Sequence, residues 1–338
     1  MQSVVILLAV FAGAGKVVAQ STALYTYSTL TGVYTDISAT GTPVTGPPSG
    51  SLLGTSLLDA NVNNIPIGFT FTYCTVPYTQ LSACNHGAIS LANAAGTPFV
   101  NTAGNMMGGG AGFLMAFWMD IRGSGTNAFY QTTGAAPNRV FTIQYTNVVP
   151  SGGGWTTGSG MGSFQIKLYE TTGVIEYWYG PSTFSGVTGT TSGTGASIGI
   201  GNSTTNYKMV NGPGIAAATF GTWNAAFTSF PAANSILRWS PCPMTISATN
   251  SGAVCPGGTV TLTGTAGGTP YTSVTWAGPA SFSASGSLTA TVTPVTAASA
   301  GTYTVTLNNG TCTVTATTAL TVNPAVAPFT VTPSVSTM

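Results

Sequence analysis

"SFQIKLYETTGVIEYWYG", residues 163–180, decides how the rest of the chain is read. Apolar and polar residues alternate along it, and Glu170-Thr171-Thr172-Gly173 at its centre has the chemistry of a tight turn. If those four residues turn, Tyr169 faces Val174, Leu168 faces Ile175, Ile166 faces Tyr177 and Phe164 faces Tyr179. One face of the hairpin is then wholly apolar or aromatic. Lys167 lies across from Glu176 on the other face, and a slip of one residue would bury both charges. Lys167 and Glu176 therefore read as a structural ion pair, worth about 0.2–1 kcal/mol. The competing reading makes Glu170 and Glu176 a glycosidase pair. Their offset along the strand is roughly 10 Å at the usual rise, twice the spacing of retaining enzymes and at the end of the inverting range.

The same alternation extends in both directions. Val140–Val149 alternates, as do Ile65, Ile67, Phe69 and Phe71, with a turn expected at Thr75-Val76-Pro77 and a second strand from Tyr78. "GFLMAFWMDIR", residues 112–122, is a denser apolar run of the kind a strand buried on both faces carries. "ASIGIGN" and "SILRWSP" read as closing strands. No window holds a sustained helical period with caps, so the chain reads as all-β.

The composition narrows function. Only 3% of the 338 residues are charged. The first twenty residues carry a continuous apolar run from Val4 to Ala14 and then small residues, the pattern of a secretory signal peptide. Removing it removes Lys16, leaving five basic and five acidic side chains. Five scattered cations make no basic stripe, so nucleic acid is not expected as a partner, nor is a membrane span after cleavage. Residues 104–113 are Gly-rich but lack the Lys-Ser/Thr of a phosphate loop. No serine sits in a nucleophile elbow beside a histidine, and the chain is not expected to be an enzyme.

Near residue 241 the composition shifts. From there to Val322 there is no charged side chain and no histidine, Val/Thr alternation dominates, and Trp276 follows the second apolar run, as in an immunoglobulin-like sandwich. The expected organisation is a signal peptide over 1–20, an antiparallel β-sandwich over 21–240, a smaller Ig-like sandwich over 241–323, and a linker or the start of a further repeat over 324–338. The last of these rests on "PFTVTPSVSTM", in which Pro328, Thr330 and Val331 match Pro243, Thr245 and Ile246 in spacing and type.

The blocks "IPIGFTFTYCTVPYTQLSACNHGAISL", "FLMAFWMDI", "NRVFTIQYTNV" and "GSFQIKLYETTGVIEYWYG…ASIGIGN" resemble, in order, those of nidogen-type (NIDO-like) extracellular domains. The versions in large secreted surface proteins of the Bacteroidetes are the most similar. "CPGGTVTLTG" and "GTYTVTLNNGTC" resemble the Ig-like or PKD-like repeats that follow there. The pattern departs at Asn85-His86-Gly87, where the family has Asn-Gly, and at Tyr145, where it has tryptophan. His86 is expected to be a turn or surface residue. The resemblance implies a non-enzymatic extracellular or cell-surface protein, acting in adhesion or as a structural, filament- or matrix-forming component. Its partners would be other copies of itself or other surface and matrix components.

The resemblance also implies a disulfide between Cys255 and Cys312, closing a loop of about 57 residues and stabilising by about 4 kcal/mol. Cys74 and Cys84 are a second candidate pair. A tight turn after Cys74 would separate them beyond disulfide reach, and a wider loop around Pro77 would allow them to meet. Cys242 is then the odd cysteine. No cofactor is expected. The one metal the acids could serve is Ca²⁺, held by Asp120 with Asp36 or Asp59 and backbone carbonyls; otherwise Asp120 and Arg122 form a local charge pair. The alternative function is a carbohydrate-binding module, with Trp155, Trp178 or Trp223 stacking on glycans.

Overall fold

The computed structural model describes residues 22–45, 61–93, 111–119, 121–122, 127–150, 160–184, 195–310 and 312–324. The proposed signal peptide, residues 325–338, and Asp59, Asp120 and Trp155 lie outside the described residues. The chain divides into two compact units between Pro241 and Cys242.

Two sheets build the larger unit. One has the order β1 (Tyr25–Thr31), β15 (Ser235–Pro241), β11 (Ile175–Ser182), β10 (Gly162–Tyr169), β9 (Val140–Pro150), β8 (Ala128–Thr133) and β2 (Thr42–Pro43), with β7 (Ile121–Arg122) also pairing with β9. The other has the order β14 (Ala218–Phe220), β13 (Asn206–Val210), β12 (Ser197–Ser203), β6 (Phe113–Trp118), β5 (Ala88–Ser90), β4 (Val76–Cys84) and β3 (Asn61–Tyr73). Every ladder in both sheets is antiparallel.

The β10–β11 hairpin takes the register its sequence dictates. Leu168 pairs with Ile175, Lys167 with Glu176, Ile166 with Tyr177 and Phe164 with Tyr179. The Tyr169 amide donates to the Val174 carbonyl, and Gly173 closes the turn at φ 64°. Along β3 the side chains of Ile65, Ile67, Phe69, Phe71 and Tyr73 are buried while the residues between them are exposed, so period-2 alternation alone fixes which face meets the core. β6 is buried at every position because it is central and apolar matter covers both its faces. Leu114, Ala116 and Phe117 join the main core, while Phe113, Met115 and Trp118 join a smaller cluster with Tyr207 and Met209.

Tyrosines tie the two sheets together. Tyr177 on β11 donates its hydroxyl to the Gly199 carbonyl at 2.7 Å, and Tyr179 donates to Ala116 at 2.6 Å. Tyr145 on β9 stacks on Phe164 and shares its proton between the carbonyls of Cys84 (2.9 Å) and Ala88 (3.1 Å). Burial pushes all three phenols well above their ordinary pKa, so they remain donors at any physiological pH. Tyr145→Phe is expected to cost about 1–2 kcal/mol, because the buried Cys84 and Ala88 carbonyls lose the hydroxyl they share while packing is kept. A thermal melt of the variant checks this.

The β3–β4 connection differs from expectation. It is a two-residue turn at Cys74-Thr75, both at positive φ (47° and 68°), with Val76 and Pro77 already in β4 opposite Tyr73 and Thr72. Positive φ at both central residues matches the right-handed twist of the flanking strands. It also separates the cysteine pair: Cys84 faces Asn61 at the far end of the ladder, no disulfide joins the two, both are buried, and the Cys84 thiol donates to the Ala88 carbonyl at 3.1 Å. Asn85-His86-Gly87 does form a turn, yet His86 is 1% exposed rather than on the surface. The His86 carbonyl accepts from the Met119 amide, which draws the turn against the end of β6.

The smaller unit packs a three-stranded sheet, β16 (Met244–Asn250), β17 (Val260–Gly268) and β20 (Thr289–Val292), with a four-stranded one, β19 (Phe282–Ser285), β18 (Ser273–Gly278), β21 (Gly301–Asn308) and β22 (Thr313–Leu320). Trp276 is buried, and Tyr303 near the start of β21 donates to the Ser299 carbonyl four residues upstream at 2.9 Å, as in the tyrosine corner of Ig-like sandwiches. The disulfide joins Cys242 to Cys312, and the free, exposed cysteine is Cys255. Strand geometry explains the correction. Val254 bridges Val322 at the far end of β22, about 30 Å from Cys312 at the usual rise. By contrast, Asn250 bonds Thr318 and Ala319, so β16 runs alongside β22 and brings its own start to Cys312.

Candidate functional site: the outer face of the larger sheet

The outward residues of the hairpin lie in rows that cross six strands. One row is Gln131, Thr142, Lys167, Glu176, Arg238 and Ser28; the next is Phe129, Gln144, Gln165, Trp178, Ile236 and Leu30. Charge is concentrated in the first row, amide and aromatic surface in the second.

Glu176 is 1% exposed and its carboxylate is saturated. Arg238 forks onto Oε1 with its Nε at 2.6 Å and its Nη2, while the Tyr169 hydroxyl and the Trp178 indole N–H (2.7 Å) donate to Oε2. The ion pair is thus Glu176 with Arg238, not with Lys167. Although Lys167 lies opposite Glu176 in the ladder, its ammonium sits 3.8 Å from the centroid of the Trp178 ring. The reason is geometric: Arg238 faces Glu176 from the other side and its planar fork fits a carboxylate, which leaves the point charge of lysine to the aromatic face. Burial lowers the Lys167 pKa against the pull of Glu176. Tyr169 is held above its ordinary pKa by burial and by its bond to Glu176.

Glu170 takes a separate partner. Arg139 donates Nε to Oε2 at 2.8 Å and Nη2 to Oε1, and its backbone amide adds a bond to Oε2 at 3.0 Å. The Arg139 hydrogen bonds hold the Glu170 carboxyl below its usual range. Its contribution to stability is present above the unfolded pKa of about 4.3 and is lost as pH falls through the lowered folded value.

Gln144 and Gln165, both fully buried, anchor the chain that crosses this face. Gln165 Nε2 donates to the Thr35 carbonyl and to Gln144 Oε1, each at 2.6 Å; Gln144 Oε1 accepts from the Ile37 amide at 3.0 Å, and Gln144 Nε2 reaches Asp36 at 2.7 Å. Asp36 is thereby engaged as an acceptor from Gln144 and from the Ser38 amide. Among the described residues no three His, Cys, Asp or Glu side chains come together.

Chemically, both glutamates are acceptors already filled by arginine, so neither is placed as a base or nucleophile. Glu176→Gln is expected to destabilise the larger unit by about 1–3 kcal/mol, because a neutral amide replaces the acceptor of charge-assisted bonds. A denaturant titration reads the loss. Two of the candidate glycan-stacking aromatics pack against side chains of the same unit. Trp178 is part-buried under Lys167, and Trp223 is part-buried edge-on to Trp118 (5.7 Å) and Tyr207 (5.3 Å). Sequence reading missed Arg238 and Tyr169 as partners of Glu176. For Tyr169 the signal was local: it precedes the same turn that Glu176 follows.

No helix among the described residues is long and apolar enough to cross a membrane. No curated protein matches the chain by sequence. Among solved structures, the amphioxus IgVJ-C2 molecule matches at 18% identity over 58% of this chain and 96% of its own, with a TM-score of 0.22. Immunoglobulin domains 1–5 of Sidekick-1 match at 14% identity over 57% and 47%, with a TM-score of 0.20. The four N-terminal Ig domains of Dscam1 isoform 6.9 match at 10% over 79% and 92%, with a TM-score of 0.21. The family model described as NIDO related matches residues 24–241, the whole of the larger unit from β1 to β15, and the chain belongs to that family.

Proposed function

We propose that the chain is a non-catalytic extracellular surface protein that works by adhesion, with copies of itself and other surface or matrix components as partners. The observation that carries this reading is the saturation of its charged groups. On the face where ionisable side chains cluster, Glu176 and Glu170 are each closed by an arginine, so the part of each arginine that reaches solvent belongs to a neutralised pair. A nearly uncharged protein does not repel its own copies, which suits homophilic contact. The leader-like residues 1–20 support export.

Beads coated with the purified chain test the reading. They are expected to clump with one another and to be dispersed by excess soluble chain. Beads that stay dispersed, and that bind no surface or matrix preparation either, would overturn it.

A further inference from the structure

Among the described residues the larger unit has four sheet edges, and three are blunted. β2 is two residues long and ends in Pro43, and β14 is three residues long. β3 is long but irregular, with Pro66 in the strand, positive φ at Asn64 and Gly68, and two register shifts against β4. Shortness, proline and bulges are the devices by which proteins keep edges from pairing with other chains. β1 has none of them. It pairs with β15 over seven residues in unbroken register, and it contains neither proline nor charge. Among the described residues no strand lies on its other side.

The hydrogen-bond parity shows which groups are free. The Gly32 amide donates to the Asn234 carbonyl, in line with the β1–β15 register, so the alternate residues Leu30, Ser28 and Thr26 bond β15. Tyr25, Tyr27, Thr29 and Thr31 then point their amides and carbonyls outward. The Lys208 ammonium covers the first of these, donating to the Tyr25 carbonyl at 2.7 Å. Among the described residues nothing pairs with Tyr27 to Thr31 on that side, and the strand is exposed from Ser28 to Thr31. Two apolar side chains stand beside it in water: Leu30 at 39% exposure and Val33 at 81%.

We propose that this edge is the homophilic contact, pairing antiparallel with β1 of a second copy of the chain about a two-fold axis at Thr29. The proposal rests on the adhesive reading above and gives it a site. The edge is self-complementary. With Thr29 opposite Thr29 of the other copy, Tyr27 meets Thr31 and Thr31 meets Tyr27, all with amide and carbonyl outward, which closes about six hydrogen bonds. Leu30 faces Ser28 of the other copy and extends the apolar row of Trp178 and Ile236 toward it, while Val33 comes to lie beside Tyr25 of the other copy. No like charges meet anywhere along the paired strands.

Sedimentation velocity of the full chain over a concentration series tests this, with Thr29→Pro, Leu30→Lys and, at the opposite sheet's edge, Phe220→Lys as a control. Thr29→Pro removes an outward amide but no bond to β15, and Leu30→Lys installs the edge charge that β1 lacks. The expected result is a concentration-dependent dimer in the parent and in Phe220→Lys, weakened by about tenfold or more in both β1 variants. Thermal melts establish that each variant is folded; if Thr29→Pro is not, Leu30→Lys alone decides. A folded Leu30→Lys that dimerises as tightly as the parent overturns the β1 site and leaves homophilic adhesion standing. A parent that is monomeric at every concentration overturns both.

Discussion

Gly87→Ala is expected to destabilise the larger unit by about 3–5 kcal/mol, lowering its melting temperature by about 10 °C. Gly87 closes the turn between β4 and β5 at φ 70°, and its carbonyl accepts from the Phe117 amide at 3.2 Å. A Cβ there would lie 2.2 Å from the Phe117 carbonyl oxygen, a backbone atom that cannot swing aside. The left-handed conformation alone costs an alanine about 1–2 kcal/mol. The overlap adds the displacement of β6, whose every residue is buried. Gly221 separates the two contributions: its φ is 72° but nothing lies within 4 Å of an added Cβ, so Gly221→Ala pays only the conformational cost. Calorimetry of the full chain reads both variants. Equal small losses would show that the turn is not clamped against β6.

The second large effect belongs to the smaller unit. Cys242→Ser is expected to cost about 4 kcal/mol, the loop-closure value for the sequence separation of 70 residues that the disulfide spans. In a unit of this size such a loss lowers the melting temperature by about 20 °C. Cys312→Ser should do the same and Cys255→Ser nothing, because Cys255 is exposed and unpaired. Calorimetry under non-reducing conditions distinguishes the pairings. A large loss from Cys255→Ser with a silent Cys242→Ser would restore the Cys255–Cys312 bond that the repeat resemblance implies.

What could be read in the sequence was what strand alternation and short turns decide. The 163–180 hairpin closes on itself within eighteen residues, so burying one face fixes its register without reference to any other strand. The same holds for the buried face of β3 and for the all-β class. Contacts set by strand order were not legible. Arg238 reaches Glu176 only because β15 lies next to β11, an adjacency between residues 62 apart for which alternation gives no sign. Cys242 reads as the odd cysteine once Cys255 is paired with Cys312, whereas the strand that follows it runs alongside β22 and carries it to Cys312. Asn85-His86-Gly87 reads as a turn and is one, but strand order folds that turn inward against the end of β6, which buries His86. The packing of Trp223 against Trp118 on β6 and Tyr207 on β13 is set by strand order in the same way.

Negative-stain electron microscopy of the purified chain at rising concentration tests homophilic association most directly. The account predicts pairs of particles, or larger assemblies built from them, that become commoner as concentration rises and that disappear in Leu30→Lys. Particles of single-chain mass at every concentration would contradict it.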